Sequence, residues 1–256
     1  MLIALGVITT ALAVNFWVWK NTPDLPQIEG VFIPAPRPLA NFILQDQYNQ
    51  AFSNQQLQGH WNLLAYGFTN CPDFCPTLLT ELAKVTDKLQ QQQQFDDLQV
   101  IFYSIDPERD GSEQLAQYMA HFNSDFIGLR RQTKEATLLP TTPAINTATN
   151  QPTNVAAASR PDPTDWTAFE KSLGIVYSRS PEAGSAGPEE QDPFYSVAHG
   201  TMMYLINPNG ELQAILRPQS SADGVASFAA EQVYQDYIAV RRYADTASSN
   251  RRTLSH

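Results

Sequence analysis

The sequence feature that most constrains the fold is a pair of cysteines at the junction between an apolar strand and an amphipathic helix. Residues 61–68 (WNLLAYGF) form a short apolar run of the kind that makes a buried strand. Soon after this run the chain reads CPDFCP, and apolar residues then recur at helical spacing over residues 76–90. This arrangement predicts a strand that leads directly into a helix, with both thiols at the N-terminus of that helix.

The remaining pattern predicts an alternation of strands and helices. Strands are expected at residues 98–105, 126–129, 174–178, 194–206 and 211–216, and helices at residues 112–122, 166–173 and 222–242. The sequence NPNG at residues 207–210 is a turn signal between the last two strands. Strands that alternate with helices, followed by a late hairpin and a final helix, predict an α/β fold with a central mixed β-sheet flanked by helices.

The N-terminal segment is apolar enough to enter a membrane. Residues 2–19 carry no charge, and a run of this length can span a bilayer as a helix. Trp17 and Trp19, followed by Lys20, are typical of an anchor at the membrane interface. We therefore predict an N-terminal transmembrane helix within a membrane anchor at residues 1–20. The alternative is a cleaved signal peptide with its site at residues 11–13 (ALA), although it lacks the usual basic segment in front.

Composition divides the rest of the chain into a tether, a body and a tail. Residues 21–41 are rich in proline, which predicts a semi-extended tether. The body is expected over residues 42–243. It is interrupted by an insertion at residues 140–165 without periodicity, and by a loop at residues 180–192. Residues 244–256 are expected to form a flexible tail.

Charge and topology indicate where the body lies and what it does not bind. The net charge of −10 argues against a nucleic-acid-binding surface, which needs clustered Lys and Arg. With a single anchor at the start, the body most simply lies on the exported side of the membrane. The apolar run is not preceded by an Arg-rich, Ser-rich transit segment. We therefore expect the periplasmic face of a bacterial inner membrane rather than the mitochondrial inner membrane.

Cys71 and Cys75 are the only cysteines in the chain, and their placement indicates a chemical role. Thiols at a helix N-terminus feel its positive end, which favours the thiolate that attacks disulfides and binds metals. A purely structural bridge would close a very short loop and stabilise little. Metal binding and thiol–disulfide exchange both remain open on these grounds. A third interpretation is an inert interaction module with a permanent bridge.

A further ligand would favour a metal site. Of the four histidines, His199 is the candidate, because it precedes an apolar strand after a long loop, whereas the others lie at element boundaries or in the tail. Two thiolates and an imidazole suit copper as Cu(I) or Cu(II), while a structural zinc site usually takes four ligands. Met202 and Met203 would point to opposite faces of a strand, and core packing is expected for both.

Four segments together resemble the Sco/SenC family, the copper proteins of cytochrome oxidase assembly. They are residues 66–76 (YGFTNCPDFCP), residues 104–110 (SIDPERD), residues 126–129 (FIGL), and His199 with residues 204–210 (YLINPNG). The resemblance covers about residues 42–240 and implies a thioredoxin-like fold. The family also begins with a single membrane anchor, which agrees with residues 1–20.

The resemblance further implies ligands, cargo and partner. One copper ion would be bound by Cys71, Cys75 and His199. Asp106 and Asp110 match the family's acidic segment, with a role beside the metal, in docking a partner, or in an ordinary turn and cap. The implied function is to deliver copper to the copper-centre subunit of cytochrome c oxidase, or to reduce its cysteines, alongside other copper or thiol-redox proteins of the compartment. The alternative is a thiol–disulfide oxidoreductase to which copper is incidental.

The residues on either side of the histidine depart from the family pattern. The family usually has Asp before its ligand histidine and Ser or Thr after it, whereas Ala198 and Gly200 flank His199 here. Loss of a carboxylate next to a ligand removes a group that orients it or balances charge. We therefore expect a change in copper affinity rather than in fold.

Overall fold

The computed structural model describes residues 24–93, 95, 97–131, 166–181, 195–220 and 226–254. The predicted anchor at residues 1–20, the insertion at 140–165, most of the loop at 180–192 and the end of the tail lie outside these ranges. Within them, no helix is both long enough and apolar enough to cross a bilayer.

One large mixed sheet forms the centre of the molecule. Its strands are β1 (Gly30–Pro38), β2 (Ile43–Asp46), β3 (Ala51–Ser53), β4 (Trp61–Gly67), β5 (Leu98–Ser104), β6 (Ile127–Arg130), β9 (Met203–Ile206) and β10 (Glu211–Leu216). Two small sheets pair β7 (Tyr177–Pro181) with β8 (Tyr195–His199), and β11 (Gln219–Ser220) with β12 (Ala226–Ser227). The helices are α1 (Phe74–Gln91), α2 (Ser112–Phe122), α3 (Trp166–Leu173) and α4 (Ala230–Leu254).

The strand order is β1-β10-β9-β4-β5-β6-β2-β3, which confirms the predicted mixed sheet flanked by helices. β4 runs parallel to β5, and β5 to β6, because α1 and α2 make the crossovers between them. β9 is antiparallel to both of its neighbours. Gly67 at the end of β4 pairs with Ser104 at the end of β5, so the loops that follow these two strands leave the sheet side by side.

The core lies on both faces of the sheet. Along β4, Leu63 and Ala65 pack with the buried side chains of α1, α2 and α4, whereas Leu64 and Tyr66 pack on the opposite face with those of α3. This alternation follows from the two-residue period of a strand. Each fully buried leucine of this kind contributes about 1.5–3 kcal/mol relative to an exposed one.

The prediction of a tether over residues 21–41 is wrong for its second half. Residues 30–38 form β1, which pairs antiparallel with β10 at the edge of the sheet. Proline lacks the N–H needed inside a sheet but is tolerated at an edge. The register of the pair shifts between Phe32 and Arg37, the stretch that contains Pro34 and Pro36.

Several element boundaries also differ from prediction. The bounds predicted for α2 and α3 are confirmed, but α1 begins at Phe74, two residues early. α4 begins at Ala230 rather than at residue 222, because the Ala230 N–H donates to the Glu81 carboxylate at 2.8 Å and fixes the helix start on α1. It continues to Leu254 rather than ending at residue 242, so the prediction of a flexible tail is wrong for residues 244–254. β7 begins at Tyr177 rather than residue 174, because Gly174 has a positive φ of 76° and forms a turn.

Candidate metal centre

Asp110 ties together the two loops at the ends of β4 and β5. Its buried carboxylate accepts hydrogen bonds from the Thr69 N–H at 3.0 Å, from Thr69 Oγ1 at 2.6 Å and from Ser104 Oγ at 2.6 Å. Thr69 lies just before the CPDFCP segment, and Ser104 ends β5. The start of the cysteine loop is therefore fixed relative to the sheet. Burial raises the pKa of the Asp110 carboxyl above its ordinary value.

The two cysteines lie on either side of the helix start. Cys71 precedes α1 and is partly exposed, whereas Cys75 lies in the first turn and is buried; both are free thiols. The Cys75 N–H donates to Cys71 Sγ at 3.4 Å, so this sulfur satisfies one of the open N–H groups at the helix N-terminus. A Cβ atom at Gly67 would lie 2.4 Å from Cys75 Sγ, so only glycine lets that sulfur approach the end of β4.

The surroundings favour opposite protonation states in the two thiols. The pKa of the Cys71 thiol lies well below its ordinary value, first because the Cys75 side chain hydrogen-bonds to its sulfur, and further because of His199 and two backbone N–H groups. The pKa of Cys75 is raised by the same hydrogen bond, by burial and by the neighbouring Cys71 thiolate. The partly exposed sulfur is therefore the nucleophilic thiolate, and the buried one holds its proton.

His199 is the last residue of β8, where it pairs with Tyr177. The prediction of one strand over residues 194–206 is wrong, because β8 ends at His199 and β9 begins only at Met203. The Nδ1 atom of His199 lies 2.6 Å from the Gly200 carbonyl oxygen. A carbonyl can only accept, so Nδ1 carries the proton and Nε2 is left as the nitrogen available to a metal.

Aromatic rings surround the imidazole. The ring centres of Tyr66, Phe68 and Phe74 lie 5.7, 5.8 and 6.4 Å from that of His199. Phe74 belongs to the CPDFCP segment itself, so packing against this ring couples the histidine to the cysteine loop. An apolar shell of this kind also limits access of water to the site.

The three predicted ligands converge. The ligand atoms of Cys71, Cys75 and His199 all lie within 4.8 Å of one another. Bond lengths of about 2.3 Å to sulfur and 2.0 Å to nitrogen place three ligand atoms roughly 3.7–4.0 Å apart when they surround one ion. Shifts of at most about 1 Å would therefore let all three bind one ion, and two soft sulfurs with one imidazole suit copper.

The two departures beside His199 have different structural settings. Ala198 is exposed, and neighbouring residues of a strand point to opposite faces, so this side chain points away from the face of His199. Gly200 instead lies against Tyr66, where an added Cβ atom would come within 2.4 Å of the hydroxyl oxygen. In place of a carboxylate from residue 198, the Gly200 carbonyl orients the imidazole.

Substitution of Gly200 by alanine is expected to destabilise the fold by about 1–3 kcal/mol, because Tyr66 is held by its stacking on Tyr204 and cannot withdraw freely. Urea unfolding would measure this loss. The double variant Gly200→Ala/Tyr66→Phe lacks the clashing oxygen and should regain most of it, with Tyr66→Phe alone as the control. If the stability loss of the double variant equals the sum of the losses of the two single variants, this interpretation is contradicted.

Asp106 and Asp110 both lie close to the site but are fully buried. Burial leaves neither carboxylate a surface for docking, which favours the predicted role beside the metal. Met203 is in the core as predicted, whereas Met202 is 37% exposed, so the core prediction is wrong for Met202. Sequence reasoning missed the long-range contacts of Tyr195, which lies beside a loop without periodicity and gives no local signal.

Fold and site together define a thioredoxin-like protein in which a cysteine pair at a strand–helix junction meets a histidine. The SCO1/SenC family model matches residues 34–139. The mitochondrial SCO2 homolog of Homo sapiens is 31% identical over 170 residues, covering 66% of this chain and 50% of its own length. The chain belongs to the SCO1/SenC family.

Solved structures share the fold. Apo Sco1 of Thermus thermophilus is 26% identical, with a TM-score of 0.57 over 85% of this chain and 99% of that protein. Arabidopsis thaliana ScoI, determined with copper bound, is 22% identical, with a TM-score of 0.55 over 79% of this chain and 97% of that protein. The chain spans about half the length of the mitochondrial relatives that it matches.

Proposed function

We propose that this protein binds one copper ion through Cys71, Cys75 and His199 and assists assembly of the copper centre of cytochrome c oxidase. The observation that carries the proposal is the convergence of two sulfurs and one imidazole from separate elements within 4.8 Å. Their softness matches copper. Sco family proteins are linked to copper assembly in cytochrome c oxidase, which indicates the client.

Three protein ligands leave the ion open to a further ligand from a partner. Cys71 is partly exposed, so an incoming thiolate or imidazole can reach the ion from its side. Copper is then cargo, transferred by ligand exchange. The partner is the copper-centre subunit of the oxidase. We further propose that residues 1–20 anchor the chain in a bacterial inner membrane with the body in the periplasm, where other copper and thiol-redox proteins are present.

Substitution of His199 by alanine is expected to weaken Cu(II) binding by more than about a hundredfold while the dithiol stays intact, because loss of a ligand should exceed the effect of changes outside the ligand set. The imidazole is the only nitrogen donor in the group of three. The measurement is a copper titration of the reduced full-length protein, followed through the absorption of the thiolate–Cu(II) bond. One tight equivalent in the wild type, weakened or spectrally changed in the variant, supports the proposal. Equal affinities would refute the three-ligand site.

Thiol–disulfide exchange is a second candidate function, favoured by the asymmetry of the cysteines. An exposed nucleophilic thiolate beside a buried protonated thiol is the arrangement of an attacking and a resolving cysteine. Cys71 would attack a partner disulfide, and Cys75 would then displace the partner thiolate. The functions are compatible, since the pair must be reduced before it binds metal.

A further inference from the structure

The hairpin that carries His199 is separate from the main sheet. Among the strands that the structure describes, β7 and β8 pair with each other and with no other strand, and β8 ends at His199. The two cysteines, in contrast, belong to a loop and helix that follow directly from β4. Whether the imidazole meets the sulfurs therefore depends on how this hairpin is held against the body.

Asp106 holds the β8 side of the hairpin. Its buried carboxylate accepts a hydrogen bond from the Tyr195 hydroxyl and another from Arg109 Nε at 2.5 Å. Arg109 in turn donates from Nη1 to the Tyr195 carbonyl oxygen at 3.0 Å and stacks on the Tyr195 ring at 3.9 Å from its centre. Both ends of Tyr195, main chain and hydroxyl, are thus fixed to the loop after β5.

Arg179 holds the β7 side. Its Nη2 donates to the Ile105 carbonyl oxygen at 3.1 Å and to Glu108 Oε2 at 2.7 Å, and lies 3.7 Å from Asp106 Oδ1. The bond from Arg179 to Glu108 is charge-assisted, and such bonds are stronger than neutral ones. Both strands of the hairpin are therefore fixed to the loop at residues 105–109.

The segment that follows β5 also fixes the cysteines, through Asp110 just after this loop. Asp110 binds Thr69 before the cysteine loop, and Asp106 binds Tyr195 on the histidine hairpin. Since the two carboxylates act on different ligands, changes at Asp106 or Tyr195 should move the histidine and leave the cysteine pair in place.

Granting the proposed copper site, we propose that Asp106 and Tyr195 are positioning residues that hold His199 at the cysteines and thereby set the preference of the site for Cu(II) over Cu(I). Two thiolates are sufficient soft donors for Cu(I), whereas Cu(II) gains from the imidazole. Loosening the hairpin therefore weakens Cu(II) binding selectively and raises the reduction potential of the bound copper.

The first test is Tyr195→Phe in the reduced full-length protein, with Tyr48→Phe as the matched control at an exposed tyrosine. The expected result is Cu(II) affinity weakened by about tenfold, as for other groups that orient ligands. Cu(I) affinity, measured by competition with a chromophoric chelator, should change by less than about threefold, because both thiolates remain. Equal loss of both affinities, or no loss of either, would overturn the proposal.

A metal-free measurement separates this proposal from the proposed function. Amide hydrogen exchange at Gly200, whose N–H donates to the Val176 carbonyl oxygen at 3.2 Å, should accelerate by about tenfold in Tyr195→Phe and not in Tyr48→Phe, because the hairpin opens more often. Unchanged exchange overturns the positioning role whether or not copper binds. Absence of copper binding in the wild type would instead overturn the copper site itself. Asp106→Asn, if it folds, should reproduce the effects of Tyr195→Phe.

Discussion

Replacing Cys75 by serine is expected to remove copper binding but to leave Cys71 able to form mixed disulfides. The sulfur of Cys75 is one of two soft donors in the site, and a hydroxyl is a poor ligand for copper. Loss of a ligand should exceed the about ten- to hundredfold effect of changes outside the ligand set. Cys71 keeps its place before α1, with the N–H of residue 75 still directed at its sulfur.

The reactivity of Cys71 in this variant can be measured with oxidised glutathione. The Cys71 thiolate attacks one sulfur, forms a mixed disulfide and releases one glutathione thiolate. In the wild type Cys75 then displaces the second glutathione and closes the Cys71–Cys75 bond. In Cys75→Ser the adduct persists, and mass spectrometry should detect one glutathione per protein.

Cys71→Ser is the matched control, because it removes the exposed sulfur and keeps the buried one. This variant should lose copper as completely as Cys75→Ser but should form little adduct, since Cys75 is buried and burial still raises the pKa of its thiol after the Cys71 sulfur is removed. Equal adduct yields from the two variants would show that the thiols are not differentiated. Retention of tight copper binding in either variant would contradict a site that needs both sulfurs.

Replacing Asp110 by alanine is expected to lower the free energy of unfolding by about 3–5 kcal/mol. The carboxylate is the shared acceptor of the Thr69 N–H, the Thr69 hydroxyl and the Ser104 hydroxyl. Its removal leaves buried donors without a partner and opens a cavity between the two loops. Urea unfolding of the metal-free, reduced protein would measure the loss.

Asp110→Asn is the control and should cost much less. Burial raises the pKa of Asp110, so folding disfavours its charge, and an uncharged amide keeps an acceptor oxygen in the same place. The sign follows from linkage: a raised folded-state pKa contributes stability at low pH that is lost as pH rises through that pKa. The difference in stability between wild type and Asp110→Asn should therefore shift in favour of the wild type as pH falls. The opposite pH trend would contradict a raised pKa.

Local periodicity in the sequence is sufficient to predict the bounds of an element that packs one regular face on the sheet. α2 and α3 have the predicted bounds, since their apolar spacing begins and ends with the helix. β2 and β3 were missed because they are short and partly polar, and β1 was missed because its prolines are typical of a tether. An edge position, which only the folded sheet defines, is what allows that strand to form.

The residues of the candidate site also differ in how far the sequence alone locates them. Cys71 and Cys75 could be located from the strand–helix junction alone, because the chemistry and the local structure lie in one segment. His199 could be singled out among the histidines by its position, but its assignment as a ligand came from the family resemblance, and the structure then brings it to the cysteines. The contacts of Asp106 with Tyr195 join residues 89 positions apart, a separation at which no sequence pattern specifies a partner.

Because residues 30–38 pair with β10, they limit the distance between the copper site and any anchor at residues 1–20. A free segment of residues 21–41 could extend up to about 70 Å, but with β1 in the sheet and Glu29 bonded to Asp236, residues 21–28 at most remain, which reach about 30 Å. The body can then move no further from the bilayer than roughly its own diameter. With the proposed anchor, a recipient would have to present its copper-binding cysteines within that distance of the membrane surface.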